Sequence, residues 1–275
     1  MHDVDKRSIR LVALDLDGVV YRGGLVLPGV TWTLKEVISR GLDVRYVSNN
    51  STAHRRAVSA RLSKMGVPAG ENRVLTSGYV TGRWLRARLP EGAPVMVVGE
   101  ERLLEELREA GFDVFHAGDA EADNAAKVVK AVVVGMDRAF SFATLAAAQK
   151  AIMEGALFVA TNRDATFPTP DGLVPGSGAI VAAVATAAQT EPVLIGKPSQ
   201  ALAEALAEAS GVPASDTVFV GDRVSTDIVM GHEAGMVTVL VLTGVSRAGD
   251  SRNALADYVI KDLTELPGVL DRLGA

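Results

Sequence analysis

The chain has 275 residues, 48% hydrophobic and 22% charged, the balance of an ordinary globular protein with core enough for one large or two moderate domains. A net charge of −5 without a basic block argues against nucleic acid as a main partner, because gripping a phosphate backbone needs clustered Lys and Arg. Cysteine is absent, which removes disulfides, thiolate metal sites and cysteine nucleophiles.

Met1 to Arg7 lead into the first strand without an apolar signal core, and no stretch approaches about 18 uninterrupted apolar residues; a soluble cytoplasmic protein without membrane contact is expected. Leu11 to Leu14 form a short apolar run that ends in Asp15-Leu16-Asp17-Gly18, the pattern of a buried strand delivering acids to its C-terminal edge. Alternate strand residues project from one side at roughly 3.3 Å per residue, so Asp15 and Asp17 are expected about 6 to 7 Å apart, a gap suited to a reacting group. Gly18 lets the chain turn there. A solvated Asp-Gly turn is the competing reading. A calcium loop is not, since no third acid or closing glutamate follows.

Next, Pro28-Gly29 marks a turn, and Leu34, Val37 and Ile38 predict a helix over 31–40 with Gly41 as its C-cap. Asp43 to Val47 predict a second strand, followed by Ser48-Asn49-Asn50-Ser51-Thr52 and a helix over 55–65. Hydroxyl and amide groups there form a cup suited to an anion, or simply cap the helix. Val74 to Ser77 give a third strand, and the alternation of strand and helix means a parallel sheet with right-handed crossovers.

From about residue 82 the pattern restarts: strand 95–99, helix 102–110, strand 131–135, helix 141–154 and strand 157–160, with His116 to Lys127 as an acidic surface loop or edge. The block holds no nucleophile, metal cluster or phosphate loop, and is read as a second, inserted domain. Thr161 to Gly172 is too rich in polar residues, Pro and Gly for a regular element, and is expected to be an ordered, specificity-bearing loop. Pro175-Gly176-Ser177-Gly178 opens a helix; with Val at 181 it lacks the third glycine of a dinucleotide fingerprint.

Val193 to Gly196 predict a strand ending in Lys197-Pro198, which can hold a positive charge over the edge carrying Asp15, an exposed loop lysine being the alternative. After a helix over 199–209, strand 217–221 exits into Asp222-Arg223 through Thr226-Asp227, carboxylates again, with Ser225 or Thr226 as a plain helix cap in the other reading. His2, His54, His116 and His232 are scattered and given no role.

Those four stretches, Asp15 to Val20, Ser48 to Asn50, Lys197-Pro198 and Gly221 to Asp227, resemble the four motifs of the haloacid dehalogenase superfamily of phosphotransferases. Thr161 to Asp164, Pro175 to Gly178 and Gly196 to Ser199 further resemble its branch of 4-nitrophenyl, phosphoglycolate, pyridoxal-phosphate and nucleotide phosphatases. The resemblance implies an α/β, doubly wound parallel-sheet core over 1–81 and 179–275, with a smaller α/β cap inserted over 82–178. It implies a Mg²⁺-dependent phosphatase for small-molecule phosphate esters. Asp15 would be the nucleophile that becomes an aspartyl-phosphate, and Asp17 the general acid and base. Asp15, the Asp17 carbonyl and Asp222 would hold Mg²⁺, and Asp227 would orient Lys197 or a metal-bound water. Ser48 with the amides of Asn49 and Asn50 would hold phosphoryl oxygens, Lys197 would balance charge, and Phe167 would contact substrate or pack at the cap hinge. Caps of this kind often dimerise in relatives, so a homodimer through the cap is implied. Phosphotransfer to a sugar, as in mutases, and a phosphometabolite-binding regulator without turnover remain the rival readings.

Overall fold

The computed structural model describes residues 8–119, 128–169 and 172–275. The readings placed on Met1 to Arg7, on His2, on 120–127 and on Pro170-Asp171 lie outside the described residues. In chain order the main elements begin with β1 (Leu11–Asp15), β2 (Tyr21–Arg22), β3 (Leu25–Val26), α1 (Val30–Ser39), β4 (Asp43–Ser48), α2 (Arg55–Lys64), β5 (Val74–Thr76) and α3 (Ser77–Arg86). Then come β6 (Pro94–Val98), α4 (Glu101–Glu109), β7 (Asp113–His116), β8 (Ala131–Val134), α5 (Phe142–Met153), β9 (Leu157–Ala160), β10 (Thr166–Thr169), β11 (Gly172–Pro175), α6 (Ser177–Ala188) and β12 (Val193–Leu194). The chain ends with α7 (Gln200–Ser210), β13 (Thr217–Gly221), α8 (Val229–Glu233), β14 (Val237–Val241), β15 (Tyr258–Ile260) and α9 (Leu266–Leu273).

Contacts divide the chain into two α/β units: Met1–Ser48, Arg56–Leu75 and Lys197–Ala275 in the first, Asn49–Arg55 and Thr76–Gly196 in the second. The first is built on a six-stranded sheet of order β15-β14-β13-β1-β4-β5. Every residue of β1, β13 and β14 is buried, as expected of parallel strands covered on both faces. Strand β1 pairs in parallel with β13 on one side and β4 on the other, so the strand order reverses at β1. Such a switch point opens a crevice at the carboxyl ends of the strands.

The second unit holds a five-stranded sheet of order β12-β9-β8-β6-β7, parallel at each pairing. Helices α5 and α6 pack together over it, closing a core that includes Met96, Val132, Phe158, Val181 and Val184.

Three expectations change. The chain was expected back in the core at residue 179, but α6 packs in the second unit's core and β12 extends its sheet, so 179–196 belong there. The Thr161 to Gly172 loop contains β10, which pairs antiparallel with β11. In a two-stranded ribbon each strand is an edge, where proline is tolerated, so composition alone misled. Asp113 to His116 form an edge strand beside β6, and His116, its last residue, opens the stretch read as a surface loop or edge. Finally, Asp15 and Asp17 do not share a strand face. Strand β1 ends at Asp15, and the carbonyl of Leu16 accepts the N–H groups of Val20 at 2.9 Å and Tyr21 at 3.1 Å, which puts Asp17 in a tight loop.

Candidate active site

Three strand exits of the first unit's sheet supply the polar groups: β1 ends in Asp15, β4 in Ser48, and β13 runs into Asp222, all buried. Lys197, only 3% exposed, comes shortly after β12 and sets its ammonium between two carboxylates. It donates to Asp15 Oδ1 and lies 2.8 Å from Asp227 Oδ1. The other oxygen of Asp227 accepts the backbone N–H groups of Asp222 at 3.1 Å and Arg223 at 3.0 Å. Asp227 can reach back because residues 224–228 form a π-type turn and because Gly221 has no Cβ to meet it.

Asp222 is gripped by the loop after β14: the N–H of Val245 donates to its Oδ2 at 2.6 Å, and that of Ser246 to its carbonyl at 3.0 Å. Gly18, at φ 85°, could not be another residue. A Cβ there would stand 2.6 Å from Asp222 Oδ2 and 2.9 Å from Gly244 Cα. Thr243 Oγ1 donates to the Gly18 carbonyl at 2.6 Å, closing the ring of contacts.

Asp15, Asp222 and Asp227 bring carboxylate oxygens within 4.8 Å of one another, against one ammonium. Burial pushes the Asp15 carboxyl well above its usual range; Lys197 opposes the shift, and Asp227 and Asp222 add to it. Asp222 is pushed up to about 6 by burial and then by Asp227, against the pull of the Val245 N–H and Lys197. Burial disfavours the Lys197 ammonium, yet Asp15 and Asp227 outweigh it and hold that group above the usual lysine range. Asp17 is also raised, burial outweighing Arg61, the Tyr21 hydroxyl and Lys197. Excess negative charge on buried, oxygen-only donors is what a hard divalent cation relieves, so the residues present fit one.

The cup expected at Ser48 to Asn50 divides along the chain. Ser48 ends β4, whereas Asn49 and Asn50 take their contacts in the second unit. The Asn49 side-chain amide donates to Asp164 at 3.3 to 3.4 Å, and its backbone carbonyl accepts from Ser77 Oγ and Asn162 Nδ2, each at 2.8 Å. Asn50 Oδ1 accepts the N–H and hydroxyl of Thr52, both at 2.8 Å. Phe167 sits on β10, half-buried against the second unit's apolar core.

Sequence reasoning missed Tyr21, Arg61, Thr243 and Val245. Arg61 stacks on the Tyr21 ring at 4.2 Å, and both act on Asp17. A signal for Thr243-Gly244 was present: they come after the apolar run Val237–Val241, so the strand-exit rule that picked out Asp15 and Asp222 applied there too.

A family model described as haloacid dehalogenase-like hydrolase matches residues 12–113, and a HAD-hydrolase-like model matches 194–266. The chain belongs to the haloacid dehalogenase-like hydrolase family, and within it to the capped branch of phosphatases. It is 37% identical over 289 residues to glycerol-3-phosphate phosphatase of Gallus gallus, covering 96% of this chain and 93% of that one. To human chronophin it is 40% identical over 254 residues, covering 89% and 85%. Among solved structures, a glycerol phosphate phosphatase from Mycobacterium tuberculosis in complex with calcium superimposes with a TM-score of 0.83 at 34% identity, covering 95% of this chain and 75% of that one.

Proposed function

We propose that the chain hydrolyses small phosphate monoesters through a phospho-Asp15 intermediate, with Mg²⁺ as cofactor, the first unit serving as catalytic core and the second as its cap. The observation that carries this reading is the buried Lys197 ammonium between Asp15 and Asp227, with Asp222 completing an oxygen-only cluster. Asp15, the Asp17 backbone carbonyl and Asp222 would hold the cation. When bound, it neutralises charge on the phosphoryl group and on Asp15.

An Asp15 oxygen attacks phosphorus as the ester P–O bond breaks, and the protonated Asp17 carboxyl gives its proton to the leaving oxygen. The raised Asp17 pKa supports that role. Asp17, now a carboxylate, then takes a proton from water as the water attacks phosphorus; the P–O bond to Asp15 breaks and phosphate leaves. Lys197 balances the charge on Asp15 and the transferring group. Ser48 and the backbone N–H groups of Asn49 and Asn50 hold phosphoryl oxygens. The side chains of Asn49 and Asn50 are engaged with Asp164 and Thr52, which favours the backbone for this role. Asp227 orients Lys197 and the turn that carries Asp222.

The names of relatives, glycerol-3-phosphate phosphatase and glycerol phosphate phosphatase among them, support a small phosphate ester as the substrate. The test is phosphate release from an aryl phosphate with Mg²⁺ and then with excess chelator. Release should stop with chelator, and Asp15→Asn should lower it by about 10⁴-fold or more. Undiminished turnover by Asp15→Asn, in a preparation free of contaminating phosphatase, would overturn the reading. Phosphate trapped on an added sugar would mark a transferase instead.

A further inference from the structure

Asp17 lies in a loop that is tied down from two directions, both within the first unit. The Leu16 carbonyl accepts the N–H groups of Val20 and Tyr21, and the Gly18 N–H donates to the Tyr21 carbonyl at 2.8 Å, which folds Tyr21 back against Asp17. Tyr21 then opens β2 and pairs with Val26 of β3, so the loop continues as a small hairpin. On one side Arg22 donates to the Thr243 carbonyl, while Thr243 Oγ1 donates to that of Gly18. On the other, Arg61 of α2 reaches the hairpin. Its guanidinium lies 4.2 Å from the centre of the Tyr21 ring, and its Nη2 donates to the Gly23 carbonyl.

Arg61 is exposed, whereas Tyr21 beneath it is buried. A planar guanidinium can stack with its face and donate with its edge, so one side chain makes both contacts. The Tyr21 hydroxyl in turn is hydrogen-bonded to the Asp17 carboxyl. A carboxyl on a loop has several staggered positions open to it, and a donor fixed in space selects one. Because the hydroxyl is carried by a rigid ring, whatever holds the ring holds the donor. Arg61 is also the strongest influence on the Asp17 carboxyl after burial itself, ahead of the Tyr21 hydroxyl and Lys197.

We infer that Arg61, acting through Tyr21, is a positioning residue for proton transfer by Asp17: stacked on the ring and bound to the Gly23 carbonyl, it holds the hydroxyl that fixes the Asp17 carboxyl. The inference rests on the proposed phosphatase reading, in which Asp17 gives its proton to the leaving oxygen as the ester P–O bond breaks. It assigns a part in that step to a helix residue that does not touch substrate.

The test uses the whole chain with Mg²⁺ and two esters, 4-nitrophenyl phosphate and glycerol phosphate. A nitrophenolate departs with little protonation, whereas an alkoxide needs the proton, so a misplaced acid harms the alkyl ester selectively. Asp17→Asn should lower kcat/KM for glycerol phosphate by about 10²-fold more than for the aryl ester. Arg61→Met and Tyr21→Phe should each lower it about tenfold for glycerol phosphate and less than about threefold for the aryl ester. In the Asp17→Asn background Arg61→Met should add nothing to the difference between the esters, since residues that act through one another are not additive. Should Arg61→Met fail to fold, Tyr21→Phe, which keeps the ring and removes only the hydroxyl, carries the test. Equal losses on both esters, a lower melting temperature with unchanged kcat/KM, or a selective loss that persists in the Asp17→Asn background would each overturn the inference while leaving the phosphatase reading intact. An Asp17→Asn variant that treats the two esters alike would instead overturn the role of Asp17 as the acid, and the inference with it.

Discussion

The two units are built from the same material and differ in the residues that their strands run into. Both carry a parallel sheet of buried aliphatic strands with helices packed against it. In the first, the strand exits hold Asp15 and Asp222, with Lys197 and Asp227 completing a buried set of charges that leaves the carboxylates in excess. In the second, the exits of β8 and β9 lead to Gly135 and to Thr161-Asn162, and the polar groups there are largely neutral and bonded to backbone. Its buried Glu106 takes the N–H of Arg55 at 2.7 Å. The sheet supplies an address in both units; at the first unit's it gathers three buried carboxylates against one ammonium, an excess of negative charge that a divalent cation would relieve.

The largest expected effect breaks the two units apart by pH. Lys197→Met removes the ammonium between Asp15 and Asp227 and should cost about 3–5 kcal/mol of stability at neutral pH in chelator, because buried carboxylates lose their counter-charge. Phe158→Ala, in the second unit's core, should cost a similar 3–5 kcal/mol by leaving a cavity. The Lys197 variant should recover much of its loss on acidification, as the carboxyls protonate, while the Phe158 variant should not. Denaturant unfolding of both across pH checks this; equal pH profiles would erase the proposed difference between the units.

A smaller effect sharpens the same point in the wild type. Asp222 titrates at about 6 in the folded chain, above an unfolded value near 4. The folded state therefore binds that proton more tightly than the unfolded state, and the slope of unfolding free energy with pH is negative between these values. Metal-free protein should lose stability as pH rises from about 4 to about 6, and Mg²⁺, which binds the deprotonated acids, should restore it above that window. Lys197, held above its usual range, stays charged throughout and adds nothing to the slope. Thermal melts in chelator and in Mg²⁺ decide it. Stability that rises with pH in chelator would mean the cluster is not strained.

Legibility in the sequence divides along the same line. Asp15, Ser48 and Asp222 were legible because a strand exit is a short-range pattern: an apolar run, then a carboxylate or hydroxyl. Lys197 was legible by type and not by neighbour. Its place between Asp15 and Asp227 is a contact across 182 and 30 residues, which no local spacing encodes. The same holds for Ser77 and Asn162 on the Asn49 carbonyl, since a hydrogen bond to backbone leaves no mark on the residue that accepts it. Residues 179–196 were misplaced because a helix of mostly Ala and Val reads the same against either sheet, and only the pairing of β12 with β9 decides.

Phe167 gives the smallest expected effect and the finest test of the contrast. It pairs with Val174 across the β10–β11 ribbon and leans on the second unit's core, half-buried, so packing accounts for its apolar side chain without a ligand. A partly buried aromatic contributes less than a fully buried one, and Phe167→Ala should cost about 1–2 kcal/mol while KM for a small aryl phosphate moves by less than about threefold. The paired measurement, melting temperature beside KM, separates the two roles. A tenfold rise in KM at unchanged stability would make Phe167 a substrate contact and give the second unit a direct hand in recognition. The expected outcome leaves Phe167 a packing residue of that unit's own core, with the charged groups left to the sheet edge that carries Asp15.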